Sequence, residues 1–180
     1  MGATLLVFAD ADGAPRGWRL MSGGAVIGRG DEVAELPPQR DWVRVVLAVP
    51  GTDVTLHWLE LDEGLTLAQS TAAARLQLAD AVAEPVETLH MAAGRRENDL
   101  TVIAAVPAAR MQAWLEAARA LAVEPDLILP TPMLLLAPGE GLVRYPGADG
   151  LTPDYRGVAA AFSLEDDLAD LVLDLSLIHI

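Results

Sequence analysis

The sequence predicts a mixed α/β fold with at least one antiparallel sheet. Apolar runs of strand length recur between Gly, Pro and Asp turn residues. Between them lie windows with helix-capping residues and helical apolar spacing. Their order is strand hairpin, strand pair, helix, strand pair, helix, short strands, helix, and it places helices against sheets rather than bundling them together. Hydrophobic residues make up 52% of the 180, enough for an ordered core.

Thr4 to Ala9 is the first apolar run. Asp10-Ala11-Asp12-Gly13 supplies turn chemistry, and Gly17 to Met21 reads as the return strand of a hairpin. Gly23-Gly24 allows another turn before Ala25 to Gly28, and Leu36-Pro37-Pro38 breaks the pattern into a loop. Trp42 to Val49 is a strand entering a buried setting, and Val54 to Leu61, across Pro50-Gly51-Thr52-Asp53, continues as its neighbour. Thr66 with Gln69 forms a capping box for a helix from about Leu67 to Ala83, stopped by Pro85. Val86 to Ala92 is a strand, Gly94 to Asp99 a charged turn, and Leu100 to Val106 a buried strand. Pro107 suits the first position of the next helix, whose stripe is Met111, Trp114, Leu115, Ala118 and Leu121. Leu127 to Leu136, with two internal prolines, is an irregular or edge segment. Gly139 to Tyr145 holds a short strand and Gly157 to Phe162 another. Ser163 with Asp166 reads as a capping box for the last helix, with Leu164, Leu168, Leu171 and Val172 on its buried face.

Charge and composition exclude several functions. Twelve basic residues face 26 acidic ones, a net charge of −14. Nucleic acid and anionic membrane surfaces would be repelled. Solubility accounts for such acidity, and a basic protein partner is compatible with it. All twelve basic residues are Arg, so there is no Schiff-base or phosphate-loop Lys. With no Cys there is no thiol catalysis, disulfide or Cys-bound zinc. The N-terminus lacks the basic region of a signal peptide. Leu127 to Gly139 is too short and too Pro-broken to span a bilayer, so a soluble chain is expected. Residues 174–180, ending in LSLIHI, read as a truncation edge or an appended tail.

Candidate chemistry is sparse. Asp10, Asp12 and Gly13 are a hairpin turn before they are a metal or phosphate loop. Gly28-Arg29-Gly30 opens like a dinucleotide fingerprint, but Val33 replaces its third glycine; these and Gly139-Glu140-Gly141 read as loop glycines. His57, His90 and His179 lack zinc-pair spacing, although His57 and His90 could meet across a sheet. Ser22, Ser70, Ser163 and Ser176 show no nucleophile elbow. Glu60, Asp62 and Glu63, and Glu165, Asp166 and Asp167, are an exposed strand end and a helix N-terminus, open to an Arg-rich partner surface. An enzyme using Glu60, Asp62 or His57 would need perturbed pKa values in a cleft. Trp114 belongs to the core, while Trp42 and Trp58 sit near strand ends, partly exposed.

An ordered series of segments resembles one known family. VVLAVPGTDVTLHWLELDEGLT (45–66), ARLQLADAVAEPVETLHMAAG (74–94), LTVIAAVPAARMQAWLEAARALAVEPDLILPTPMLLLAPGEG (100–141), Arg144 and AFSLEDDLADLVL (161–173) are similar to the cytoplasmic domain of type II secretion system protein L. The likeness covers about Trp42 to Leu173. It implies an actin-like ATPase (ribonuclease H-like) fold of mixed sheets with helices, incomplete in its final subdomain. On that reading residues 1–41 are the hairpin part of the first lobe, 42–173 the main actin-like region and 174–180 the tail. The family's role implies a non-catalytic scaffold on the cytoplasmic face of the bacterial inner membrane. It would recruit the secretion ATPase, protein E, through that ATPase's N-terminal region, and meet protein M through segments absent here. The other reading is an actin-like nucleotide binder of a pilus-assembly platform. Active relatives place a Gly-rich loop between the first two strands; here Asp10 to Pro15 occupies it, and Pro15 lacks an N–H for a phosphate. No catalytic residue, cofactor or metal is expected. Partner contact is expected at Arg95, Arg96 and Glu97, read as one exposed turn, and at Glu165, Asp166 and Asp167. A homodimer through a sheet edge is compatible with the sequence.

Overall fold

The computed structural model of the chain describes residues 2–10, 12–38, 41–147 and 152–177. His179 therefore lies outside the described residues, as does Ala11 of the first turn. The described chain is built on three sheets.

The first sheet has five strands. β1 (Thr4–Ala9) is followed by β2 (Pro15–Ser22) and β3 (Ala25–Gly30) in an antiparallel meander. On the other side of β1 lies β4 (Arg44–Val49), parallel to it, and beyond β4 the edge strand β8 (Leu127–Pro130), also parallel. The sheet thus takes strands from both sides of residue 41. β8 is registered by Asp126: its carboxylate accepts the Val45 N–H at 2.7 Å, and its own N–H donates to the Val45 carbonyl at 3.0 Å. β4 is buried on both faces after Arg44, as its unbroken apolar run demands.

β4 and the next strand, β5 (Thr55–Leu59), do not form the expected pair. Pro50 leads into a single 3₁₀ turn at Gly51–Asp53, which redirects the chain into a second sheet of order β5-β7-β6. There β6 (Leu89–Glu97) and β7 (Leu100–Pro107) form a hairpin. Its turn is shorter than the charged turn read from the sequence: only Asn98 and Asp99 leave the strands, both with positive φ, as a two-residue hairpin turn requires. Gly94 to Glu97 remain strand, with a bulge between Ala93 and Arg96.

β7 explains its own continuous hydrophobicity. Ile103 and Ala105 face one core with Leu61, Ala74, Leu78, Leu89 and Met91. Ala104 and Val106 face the other, with Leu5, Val7, Leu47, Trp18 and Trp114. Alternate side chains of one strand serve two cores. The first of these is roofed by α1 (Leu67–Leu78), and the capping box is formed: Thr66 N–H donates to Gln69 Oε1 at 2.9 Å and Gln69 N–H to Thr66 Oγ1 at 3.3 Å. α1 stops a turn earlier than expected. Pro85 disfavours helix at the preceding residue, and Arg75 ties the helix end to the Val86 and Leu89 carbonyls at 2.7 and 3.1 Å. The second core takes α2 (Ala108–Ala120), capped at Pro107, with Trp114 and Ala118 fully buried.

The third sheet is a meander of β9 (Leu142–Tyr145), β10 (Asp154–Gly157) and β11 (Ala161–Ser163), followed by α3 (Asp166–Leu177). The single strand expected over Gly157 to Phe162 is two strands. The chain doubles back between them, where Gly157 N–H donates to the Ala160 carbonyl at 2.7 Å.

Candidate functional site

The three sheets meet around the Pro50-Gly51 turn. Gly51 is buried there; a Cβ at this position would overlap Ser163 Oγ and come within 2.6 Å of Pro132 Cδ. Glycine is required by this close approach. Ser163 does not cap α3. Its hydroxyl donates to buried Asp154 Oδ1, which also accepts Thr131 Oγ1–H at 2.8 Å. A buried carboxylate is held by hydroxyl donors from two neighbouring segments, which is what burial of a charge demands.

A second junction joins the second and third sheets. Arg156, 1% exposed, donates from Nη2 to Glu97 Oε2 at 2.5 Å and from Nη1 to the Ala160 carbonyl at 3.2 Å. Its guanidinium lies 5.3 Å from the Trp58 ring centre, and Trp58 Nε1–H donates to the same Glu97 oxygen at 3.2 Å. Glu97 is thus a strut, not part of an exposed turn. Arg96 is also engaged, donating to the Leu61 carbonyl at 2.7 Å and to Asp99 O. Arg95 stands exposed at the bulge.

At α3, Asp166 binds Arg144 through two bonds of 2.6 Å and accepts Tyr155 O–H at 2.5 Å. Hydrogen bonds from Arg144 and then Tyr155 hold its carboxyl down to about 2; the same pairing raises Arg144 further. Burial and the bond to Asp166 raise the Tyr155 hydroxyl. Glu165 and Asp167 beside it are exposed. The expected buried face is not covered by the described residues: Leu168, Leu171 and Val172 are 49%, 57% and 47% exposed, whereas Ala169 is packed inside.

The turn of the first hairpin is closed by its own carboxylate. Asp10 Oδ1 accepts the N–H groups of Asp12 and Ala14 at 3.0 and 2.9 Å, and Oδ2 pairs with Arg16 at 2.6 Å. The carboxylate sits where an anion would sit on those amides. Arg110, from α2, donates to Asp53 Oδ2 from Nε and Nη2 at 2.9 and 2.7 Å and from Nη1 to the Asp12 carbonyl at 3.4 Å. Gly28 and Gly30 are strand residues of β3, not loop glycines; a Cβ on either would meet the Trp18 ring. His57 and His90 do not meet, because β7 lies between their strands. No cluster of His, Asp and Glu among the described residues is arranged to hold a metal ion.

The sequence missed a cleft of about 540 Å³ between β5 and the β10–β11 hairpin. His57 and Trp58 line it, together with Thr52 and Ser163. Burial holds the His57 imidazole below its ordinary pKa of 6.5, and its Nε2 has no hydrogen-bond partner. Nothing in the sequence signals this cleft, because it arises from two strands in different sheets.

Comparison with known proteins follows the same lines. A family model for protein L of the type II secretion system matches residues 24–143. The type II secretion system protein L of Dickeya chrysanthemi is 33% identical over 87 residues, which make up 48% of this chain and 22% of that protein. The chain therefore matches about a fifth of that relative's length. The fold is similar to that of the cytoplasmic domain of EpsL, an inner-membrane component of the type II secretion system of Vibrio cholerae, with a TM-score of 0.72 at 19% identity over 95% of this chain and 74% of that one. The architecture is accordingly the actin-like ATPase fold.

Proposed function

We propose, from the premise that the chain belongs to the type II secretion system protein L family, that it is a non-catalytic cytoplasmic scaffold of the inner-membrane secretion platform. In that role it recruits the secretion ATPase, protein E, by binding the ATPase's N-terminal region. The match of the family model over residues 24–143 carries this reading. The polar clusters support it: Asp53, Asp154, Asp166 and Glu97 each hold neighbouring segments together and are not gathered in one cleft for acid–base chemistry. Contact with protein M belongs, on this reading, to parts of the longer family members that residues 1–180 do not match.

For the ATPase contact we assign Arg95, Glu165 and Asp167 ahead of Arg96, Glu97 and Asp166. The first three present exposed charges; the other three spend theirs on intramolecular bonds. Calorimetric titration with the ATPase N-terminal region tests both parts. Binding is expected to the folded chain, and to weaken about tenfold on reversing Arg95, Glu165 and Asp167 together. A folded chain that does not bind at high micromolar concentration contradicts the scaffold role.

The same reading expects no response to nucleotide, since Asp10 already occupies the amides of the first turn. A native-state ligand must raise the melting temperature. A rise with millimolar ATP and Mg²⁺ that disappears in Asp10→Ala would favour the nucleotide-binding alternative instead.

A further inference from the structure

We infer that the cleft between β5 and the β10–β11 hairpin is a groove for an extended, uncharged segment of a partner protein, added as a strand to the free edge of β5. The inference rests on the scaffold reading only in taking the occupant to be a protein.

The placement of the cleft comes first. It is lined by every residue from Val54 to Trp58 and by every residue from Ala159 to Ser163. A hollow lying on one face of a strand would touch alternate residues, because side chains point to opposite faces in turn. Contact with consecutive residues means that the hollow runs along strand edges. Both edges are open among the described residues: β5 pairs with β7 on one side only, and β11 with β10 on one side only. Unpaired edges present N–H and C=O groups that an added strand can satisfy.

The chemistry of the lining then selects the occupant. In a chain of net charge −14, no Asp, Glu or Arg lines this cleft. The nearby Arg156 and Glu97 neutralise each other. A phosphate or a carboxylate ligand would find no cation there, and a basic segment would find no carboxylate. The alanine wall at Ala159, Ala160 and Ala161 leaves room for side chains of modest size. His57 lines the cleft, and its Nε2 is buried without a hydrogen-bond partner. The volume, about 540 Å³, lies in the range of ordinary binding clefts of roughly 300–1,000 Å³.

The test pairs amide hydrogen exchange with titration. Two exposed lining positions, Thr55 and Ala159, are replaced in Thr55→Arg and Ala159→Arg; each places a long cation in the groove, and unchanged melting temperatures show that folding is intact. Two probes are used: the N-terminal region of the secretion ATPase, and a short blocked peptide of alternating Thr and Val. A bound strand is expected to slow exchange of the β5 amides about tenfold or more, and each Arg variant to weaken binding about tenfold. If the ATPase region binds with β5 exchange unchanged and both variants bind as tightly as the parent, the groove is wrong and the scaffold reading stands. If the peptide protects β5 but the ATPase region does not bind, the groove stands and that partner is wrong. If neither probe binds a folded chain, both are wrong.

Discussion

α2 and α3 are helices of nearly equal length, 13 and 12 residues, with opposite fates. α2 reads AARMQAWLEAARA and is rich in small residues; α3 reads DDLADLVLDLSL and carries the more regular leucine pattern. By sequence α3 is the better candidate for a buried helix. In the structure Trp114 and Ala118 of α2 are fully buried, while Leu168, Leu171 and Val172 of α3 stand about half exposed. The difference lies in what each helix has to cover. α2 leaves β7 directly over the five-stranded sheet and seals a core supplied by β1, β2 and β4. α3 leaves a small three-stranded meander and is fastened at its first turn by Asp166, through Arg144 and Tyr155. An amphipathic stripe states that a face wants cover; only the neighbouring elements provide it.

The contrast is broken most directly at the centre of each helix. Trp114→Ala is expected to cost about 3–5 kcal/mol, as for other fully buried aromatics, whereas Leu171→Ala should stay within about 0.5 kcal/mol. Urea denaturation measures both, and equal losses would remove the distinction drawn between the helices. A smaller effect is expected where the third sheet meets the first: Gly51→Ala must displace Ser163 or Pro132 and should cost about 1–3 kcal/mol, read as a lowered urea midpoint. Thr66→Ala, which removes the α1 cap, should cost about 1 kcal/mol; a loss no greater than that of Leu171→Ala would show that the cap contributes nothing. The gentlest probe is pH. The folded pKa of Asp166 lies below its ordinary 3.8, at about 2. Its tether on α3 is therefore complete above the ordinary value and lost as pH falls through the folded one. Amide exchange along α3 should accelerate over that acid range and do so less in Asp166→Asn, whose tether is already weakened, while α2 stays protected.

Much of the local structure was legible. The Thr66–Gln69 capping box, the bounds of β1, the buried run of β7 and the Trp114–Ala118 part of the α2 stripe follow from patterns confined to a few neighbouring residues, although Leu121, expected on the same stripe, lies past the helix end and is exposed. The errors share one cause. Pro50-Gly51 reads as a hairpin turn, yet it redirects the chain between sheets, because Gly51 packs against Ser163 and Pro132, more than 80 residues away along the sequence. Ser163 and Asp166 have the spacing of a capping box, but each found a stronger partner in space, Asp154 and Arg144. Arg95, Arg96 and Glu97 look like one charged turn, but the bulge turns Arg95 outward while Arg96 and Glu97 are taken up by the Leu61 carbonyl and Arg156. The cleft beside β5 had no linear signature at all.

By itself, then, the sequence determined the element types, the acidic, lysine-free and thiol-free chemistry of the chain and, through its ordered segments, the family. Those depend on side-chain periodicity, composition and short-range capping, which act within a turn or two of the backbone. The tertiary structure alone decided which strand pairs with which, which charges are struts and which are free, which helix is covered, and where two open strand edges face each other. Those depend on contacts between residues far apart in the chain, where a carboxylate or an apolar face takes the best partner that packing brings within reach.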